Sequence, residues 1–170
     1  MKLEYALSQP EGWAAVETVA LIGPKGTFKN VRVVGPTRTA TQIEVSRTDT
    51  SRWVLMRPGA IRAAWSTPKV QLRGLAGELT ASGLIVDARH IHLHTTDAKE
   101  LGLQDGSYVD LKVNQGERAI SFANTRVRVE DHYVTEMHID TDEANAAGIT
   151  SRPTGELMHQ TMASLEDSAG

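Results

Sequence analysis

The chain has 170 residues, 40% of them hydrophobic, with 18 basic against 21 acidic residues and a formal net charge of -3. That length supports a packed core in one ordinary domain or two small ones, and the slight negative balance excludes a general attraction to nucleic acid or to an anionic membrane, so any anion site must be local. With no cysteine present, disulfides, thiolate ligands and a cysteine nucleophile are excluded together, and with neither a signal-like start nor a run near roughly 18 apolar residues, a soluble, cytoplasmic protein is expected.

In chain order, the first organised stretch is "VALIGPKG" at residues 19–26, which matches "VQLRGLAG" at residues 70–77 through Val19/Val70, Leu21/Leu72, Gly23/Gly74 and Gly26/Gly77. Alternating apolar residues bracketed by glycines predict strand, tight turn, strand in both copies. Residues 30–49 match residues 124–143 in the same way, placing Asn30 on Asn124, Arg32 on Arg126, Val33 on Val127 and Glu44 on His138. Between the copies, residues 50–68 form a connection in which Leu55, Met56, Trp53 and Trp65 are expected to cover a barrel end. "GLIVDARHIHLH" then runs from an apolar strand into alternating histidines. A third match sets residues 92–103 on residues 138–149, pairing His92 with His138, Thr95 with Thr141, Ala98 with Ala144 and Gly102 with Gly148. This unit predicts a histidine near a strand end, a Thr or Asp cap, a helix of about two turns, and a glycine at the C-terminal cap. In "LQDGSYVDLKV" the Asp105-Gly106 turn leads into a strand alternating Val109, Leu111 and Val113. From Thr150 on, the polar tail is expected to fray.

Many short strands, few short helices and glycine-rich turns predict a mainly-β fold of two related small β-barrel domains with short capping helices. The expected division is residues 1–68 for the first barrel and connection, 69–150 for the second barrel with the HxH motif, and 151–170 for the tail, with interleaving of the two barrels in sequence as the alternative.

The histidines carry the chemistry. On a strand, residues two apart share a face, so His90 and His92 present both imidazoles to one point. Zinc favours such nitrogen donors and needs further ligands from elsewhere; His138, at the repeat position of His92, supplies a third and leaves one position for water or substrate. His94 sits where a helix is about to begin and is expected to be exposed, and His132 and His159 are expected to be solvated. Arg38 and Arg89 are candidates for an anionic substrate, because a guanidinium offers a fixed fork to phosphate or carboxylate.

Three stretches, "ETVALIGPKGTFKNVRVVGPTRTATQIEVSRTD" (17–49), "GLIVDARHIHL" (83–93) and "VTEMHIDTDEANAAG" (134–148), make the chain resemble the phosphate propanoyltransferases, phosphotransacylases of bacterial microcompartments. The resemblance spans roughly residues 8–150 in colinear order. It implies two β-barrel domains with two zinc ions at a shared active site, which exchanges phosphate and coenzyme A on a short acyl group. By the same resemblance His90, His92 and His138 hold one zinc, Glu44 is a ligand of the other, and Arg38 positions phosphate. Acyl-CoA and phosphate are then the small-molecule partners. A homo-oligomer is expected, with microcompartment shell proteins or enzymes as further partners and the microcompartment lumen as an alternative compartment.

Family members carry a further HxH motif of the form "SNRHVHLS", whose histidines accompany that glutamate; the sequence here starts after it. Glu44 is therefore expected to lack its companions, and the chain to be a poor transacylase that self-associates along an unpaired barrel edge. Two readings stay open: a zinc-dependent phosphate acyltransferase acting on propanoyl-CoA or acetyl-CoA, and a non-catalytic β-barrel module that keeps one zinc half-site.

Overall fold

A computed structural model describes residues 2–53, 69–114, 119–151 and 153–161. The expected packing of Leu55, Met56 and Trp65, and of the Trp53 side chain, falls outside these residues. The chain divides into two units, Met1–Asp87 and Ala88–Gly170, and both are mainly β.

The first unit contains β1 (Leu3–Ala6), β2 (Trp13–Gly23), β3 (Gly26–Gly35), β4 (Ile43–Glu44), α1 (Arg47–Trp53), β5 (Val70–Gly74), β6 (Gly77–Ala81) and β7 (Leu84–Ile85). β2 is its spine. One edge pairs antiparallel with β3 from Trp13↔Gly35 to Gly23↔Gly26, and the other edge is divided between β1 near Ala15 and β5 at Ala20↔Arg73 to Ile22↔Gln71. The two glycine-bracketed stretches of the sequence are the hairpins β2–β3 and β5–β6, closing at Gly23↔Gly26 and Gly74↔Gly77. Gly26 and Gly77 have φ of 156° and 146° with open space where a Cβ would stand, so backbone conformation rather than room selects glycine there. Leu21, Ile43, Val70, Ala81 and Leu84 form the core. Ile43 and Leu84 belong to the short parallel pair β4–β7, which this core holds against the sheet. The pair is tight: the Ile43 N–H donates to Gly83 O at 2.8 Å, and any Cβ at Gly83 would overlap the Thr41 carbonyl oxygen. Ser46 opens α1, its hydroxyl oxygen accepting the Asp49 N–H at 3.2 Å.

The second unit contains β8 (His90–Leu93), α2 (Thr95–Leu101), β9 (Tyr108–Val113), β10 (Ile120–Val129), β11 (Glu136–His138), α3 (Thr141–Ala146) and β12 (Gly155–Thr161). Its strands form one five-stranded sheet in the order β11-β8-β10-β9-β12. β8 lies between a parallel neighbour, β10, and an antiparallel one, β11. As the alternation predicts, Val109, Leu111 and Val113 of β9 are buried. With Ile91, Leu93, Val127 and Phe122 they make an apolar face on which Ala98 packs from α2, Leu103 from the turn that follows it and Ala147 from the end of α3.

The repeats of the sequence reappear as repeats of geometry. Asn30 and Asn124, aligned in the sequence, both have left-handed backbones, at φ 59° and 54°. Each sits where two residues face one on the partner strand, between Phe28 and Val31 of β3 and between Phe122 and Thr125 of β10. These are matching β-bulges. Helices α2 and α3 likewise follow the aligned strand ends, and Gly102 and Gly148 have φ of 66° and 64°.

Three expectations are corrected. Residues 70–81 belong to the first unit rather than the second, because β5 hydrogen-bonds to β2, and the division falls at Asp87. The tail does not fray throughout: residues 155–161 form β12, whose backbone completes the free edge of β9 while Leu157 packs on the core of that unit. The cap of α2 is His94 rather than a Thr or Asp, its Nδ1 accepting the Thr96 N–H at 3.1 Å, so His94 is half-buried and structurally engaged.

Candidate metal centre

The site grows from the pairing around β8. Because cross-strand partners share a face, the register His138↔His90 and Glu136↔His92 on one side, and Arg126↔His90 and Arg128↔His92 on the other, lays two polar rows across the sheet. One row reads His138, His90, Arg126; the next reads Glu136, His92, Arg128. The intervening row, Met137, Ile91 and Val127, points into the core. Alternation on β8 and its pairing with β11 thus put three histidines together with no loop needed to fold them in.

The ring centroids lie 4.8 Å apart for His90 and His92, 4.9 Å for His90 and His138, and 4.6 Å for His92 and His138. One potential ligand atom from each falls within 4.8 Å of the others. His90 is 4% exposed, and its Nδ1 stands 2.9 Å from Ala88 O. A carbonyl only accepts, so Nδ1 carries the proton and Nε2 keeps its lone pair, the arrangement that orients a metal-binding imidazole. His138 Nε2 is buried and lies 3.8 Å from a carboxylate oxygen of Glu136. His92 Nδ1 is buried with no hydrogen-bond partner, and the ring stacks on Tyr133 at 4.1 Å and 21°. Burial, with His138, His90 and Arg128 nearby, pushes the His92 pKa down to about 4. At neutral pH its nitrogens are therefore free of the extra proton that would repel a cation. A buried nitrogen without a hydrogen bond, in a set of three convergent imidazoles, fits zinc or another first-row cation that favours nitrogen.

The other predicted residues are placed as follows. Arg38 is exposed in the segment between β3 and β4, and Glu44 is the exposed last residue of β4; both belong to the first unit. Arg89 has structural partners: an ion pair with Glu143 at 2.6 Å, a position over the Phe122 ring at 5.4 Å and a hydrogen bond to Ala123 O at 3.2 Å. Glu143 also closes the capping box of α3 with Asp140, so Arg89 braces the corner just after His138. His132 is exposed beside Glu130 at 3.3 Å. The side chain of His159 lies outside the described residues. Sequence reasoning missed Arg126, Arg128, Tyr133 and Glu136. The first two had a readable signal, the alternation of "TRVRV" on a strand whose valines are buried; the others depend on pairing and loop placement.

The family model for phosphate propanoyltransferase matches residues 1–150. The chain belongs to the phosphate propanoyltransferase family. Phosphate propanoyltransferases among its curated relatives include that of Thermotoga maritima, 41% identical over 157 residues that make up 90% of this chain and 72% of the relative. That of Citrobacter freundii is 47% identical over 147 residues, 84% of this chain and 69% of the relative. That of Levilactobacillus brevis is 38% identical over 155 residues, 89% of this chain and 74% of the relative. The family is one of acyltransferase enzymes, and the matched span contains all three histidines together with Arg38 and Glu44.

Proposed function

We propose that the chain converts a short acyl-CoA, propanoyl-CoA or acetyl-CoA, and phosphate into acyl phosphate and coenzyme A, with zinc held by His90, His92 and His138. The observation that carries this reading is the trio itself, three imidazoles converging on one face of the sheet in a chain of this family. Zinc bound there supplies a Lewis acid that reduces charge repulsion and polarises an oxygen of phosphate or thioester. Arg38 orients the phosphate through its guanidinium fork, and Glu44 serves as a carboxylate ligand of a second zinc. In this reading phosphate attacks the thioester directly: a phosphate oxygen forms the new C–O bond as the C–S bond breaks, and the proton carried by phosphate ends on the departing thiol. Among the described residues no helix is long and apolar enough to cross a membrane. The cytoplasm, or the lumen of a microcompartment within it, is the compartment that suits this substrate pair.

Free thiol released from propanoyl-CoA in the presence and absence of phosphate, followed alongside zinc content, tests the reading. Phosphate-dependent thiol release that is lost on chelation and returns with zinc is expected; thiol release indifferent to phosphate, or to chelation, would overturn it.

A further inference from the structure

Of the three histidines, His90 and His92 are held in different ways. The plane of His90 is set by the hydrogen bond from Nδ1 to Ala88 O, whereas His92 Nδ1 is buried without one. What faces the His92 ring is Tyr133, with centroids 4.1 Å apart and planes 21° from parallel. We propose that Tyr133 is the positioning residue of His92, its aromatic face doing for this imidazole what a carbonyl does for His90. The inference rests on the reading that the histidines bind zinc, and it assigns a role to a residue outside that trio.

The placement of Tyr133 is itself fixed by bonds that lead back to His92. Its N–H donates to Glu130 O at 3.3 Å and its hydroxyl to Glu130 Oε1 at 3.2 Å. The segment around it is tied at both ends to the start of α2. Thr95 donates to Asp131 Oδ1 at 2.6 Å, the His94 N–H donates to Thr135 Oγ1 at 3.4 Å, and Thr135 donates to Asp97. Since α2 begins three residues after His92, ring and bracket share one anchor. An imidazole fixed only at its Cβ would turn about χ2, a broad torsion, and lose its aim. A ring stacked face to face leaves rotation within the plane of the stack and suppresses tilting out of it. Hydrogen-bonding partners that orient a metal-ligating histidine are typically worth about 10-fold to 100-fold in metal affinity, and the stacked ring of Tyr133 is expected to act at the low end of that range.

The test compares Tyr133→Phe, Tyr133→Leu and Tyr133→Ala with the parent. Zinc affinity is measured by competition with a chromophoric chelator, and the His92 ring-proton shift is read by NMR in the zinc-free chains. Phe keeps the stack and should hold zinc within about 3-fold of the parent, with the shielded His92 signal retained. Leu, of similar bulk but without a ring, and Ala should each weaken zinc by about 10-fold or more and move that signal downfield. Parent-like affinity in Leu and Ala would overturn the role of Tyr133 while leaving the zinc reading intact. A parent that binds no zinc would overturn the zinc reading and this one with it. Loss of affinity in Phe equal to that in Ala would also overturn it, because the hydroxyl and its bond to Glu130, rather than the ring face, would then be responsible.

Discussion

His94 shows how close two roles for one side chain can lie. It continues the alternation of His90 and His92, yet it stands one residue past the end of β8, and its Nδ1 accepts the Thr96 N–H at the start of α2. Its counterpart in the repeat, Asp140, caps α3 in the same way, with an oxygen in place of the ring nitrogen. A cap of this type contributes on the order of 1 kcal/mol. His94→Ala should therefore lower stability by about that amount in denaturant titrations, while His94→Asn, which keeps a short acceptor, should stay near the parent. Zinc content should be the same in all three, because the side chain faces the helix rather than the histidine cluster; a drop in zinc in either variant would make His94 a ligand.

At the scale of elements, the decisive features are two bulges. The left-handed backbones of Asn30 and Asn124 take up the extra residue in β3 and β10, and in β10 the Asn124 N–H is satisfied by Asp110 Oδ1 at 3.0 Å. A left-handed backbone costs roughly 1–2 kcal/mol in residues other than glycine, with asparagine among the more tolerant. Chemical denaturation of Asn124→Val should show a loss of about that size, and Asn124→Gly should be close to neutral. If valine proved harmless, the bulge would not be strained. The bulge also bears on the site, since it resets the register of β10 against β9 just before Arg126 and Arg128 come level with His90 and His92. A one-residue slip there would send both arginines into the core and both neighbouring valines to the polar face.

For the whole molecule, the proposed labour is divided between two units: the histidines in one, Arg38 and Glu44 in the other. Substitutions should then separate binding of metal from use of phosphate. His138→Ala removes one of three imidazoles and should lower zinc per chain by one ion relative to the parent. Arg38→Ala should leave zinc unchanged but raise the phosphate KM or lower kcat by a factor on the order of 10², as for loss of an oriented charged donor. Paired metal analysis and initial rates check both. Parent-like kinetics in Arg38→Ala would remove it from the site, and parent-like zinc in His138→Ala would break the trio.

By itself the sequence determined what local rules can carry. Period-two alternation marked β9 and the histidine face of β8, paired glycines marked two hairpins, and internal matches placed His138 with His92 and Asn30 with Asn124 before any pairing was known. Those signals are local because side-chain direction on a strand and the need for positive φ at a turn are settled by a few neighbouring residues. Only tertiary structure decided the rest. Residues 155–161 became β12 because β9 offered an edge, and β5 and β6 joined the first unit because β2 offered one; neither choice is written in the residues that make it. Arg128 came level with His92, and Tyr133 came to lie against it, through a parallel register and a bracket of side-chain hydrogen bonds between segments some 40 residues apart. Such contacts depend on which strands meet, and that is fixed by the burial of the whole apolar face rather than by any one stretch of chain.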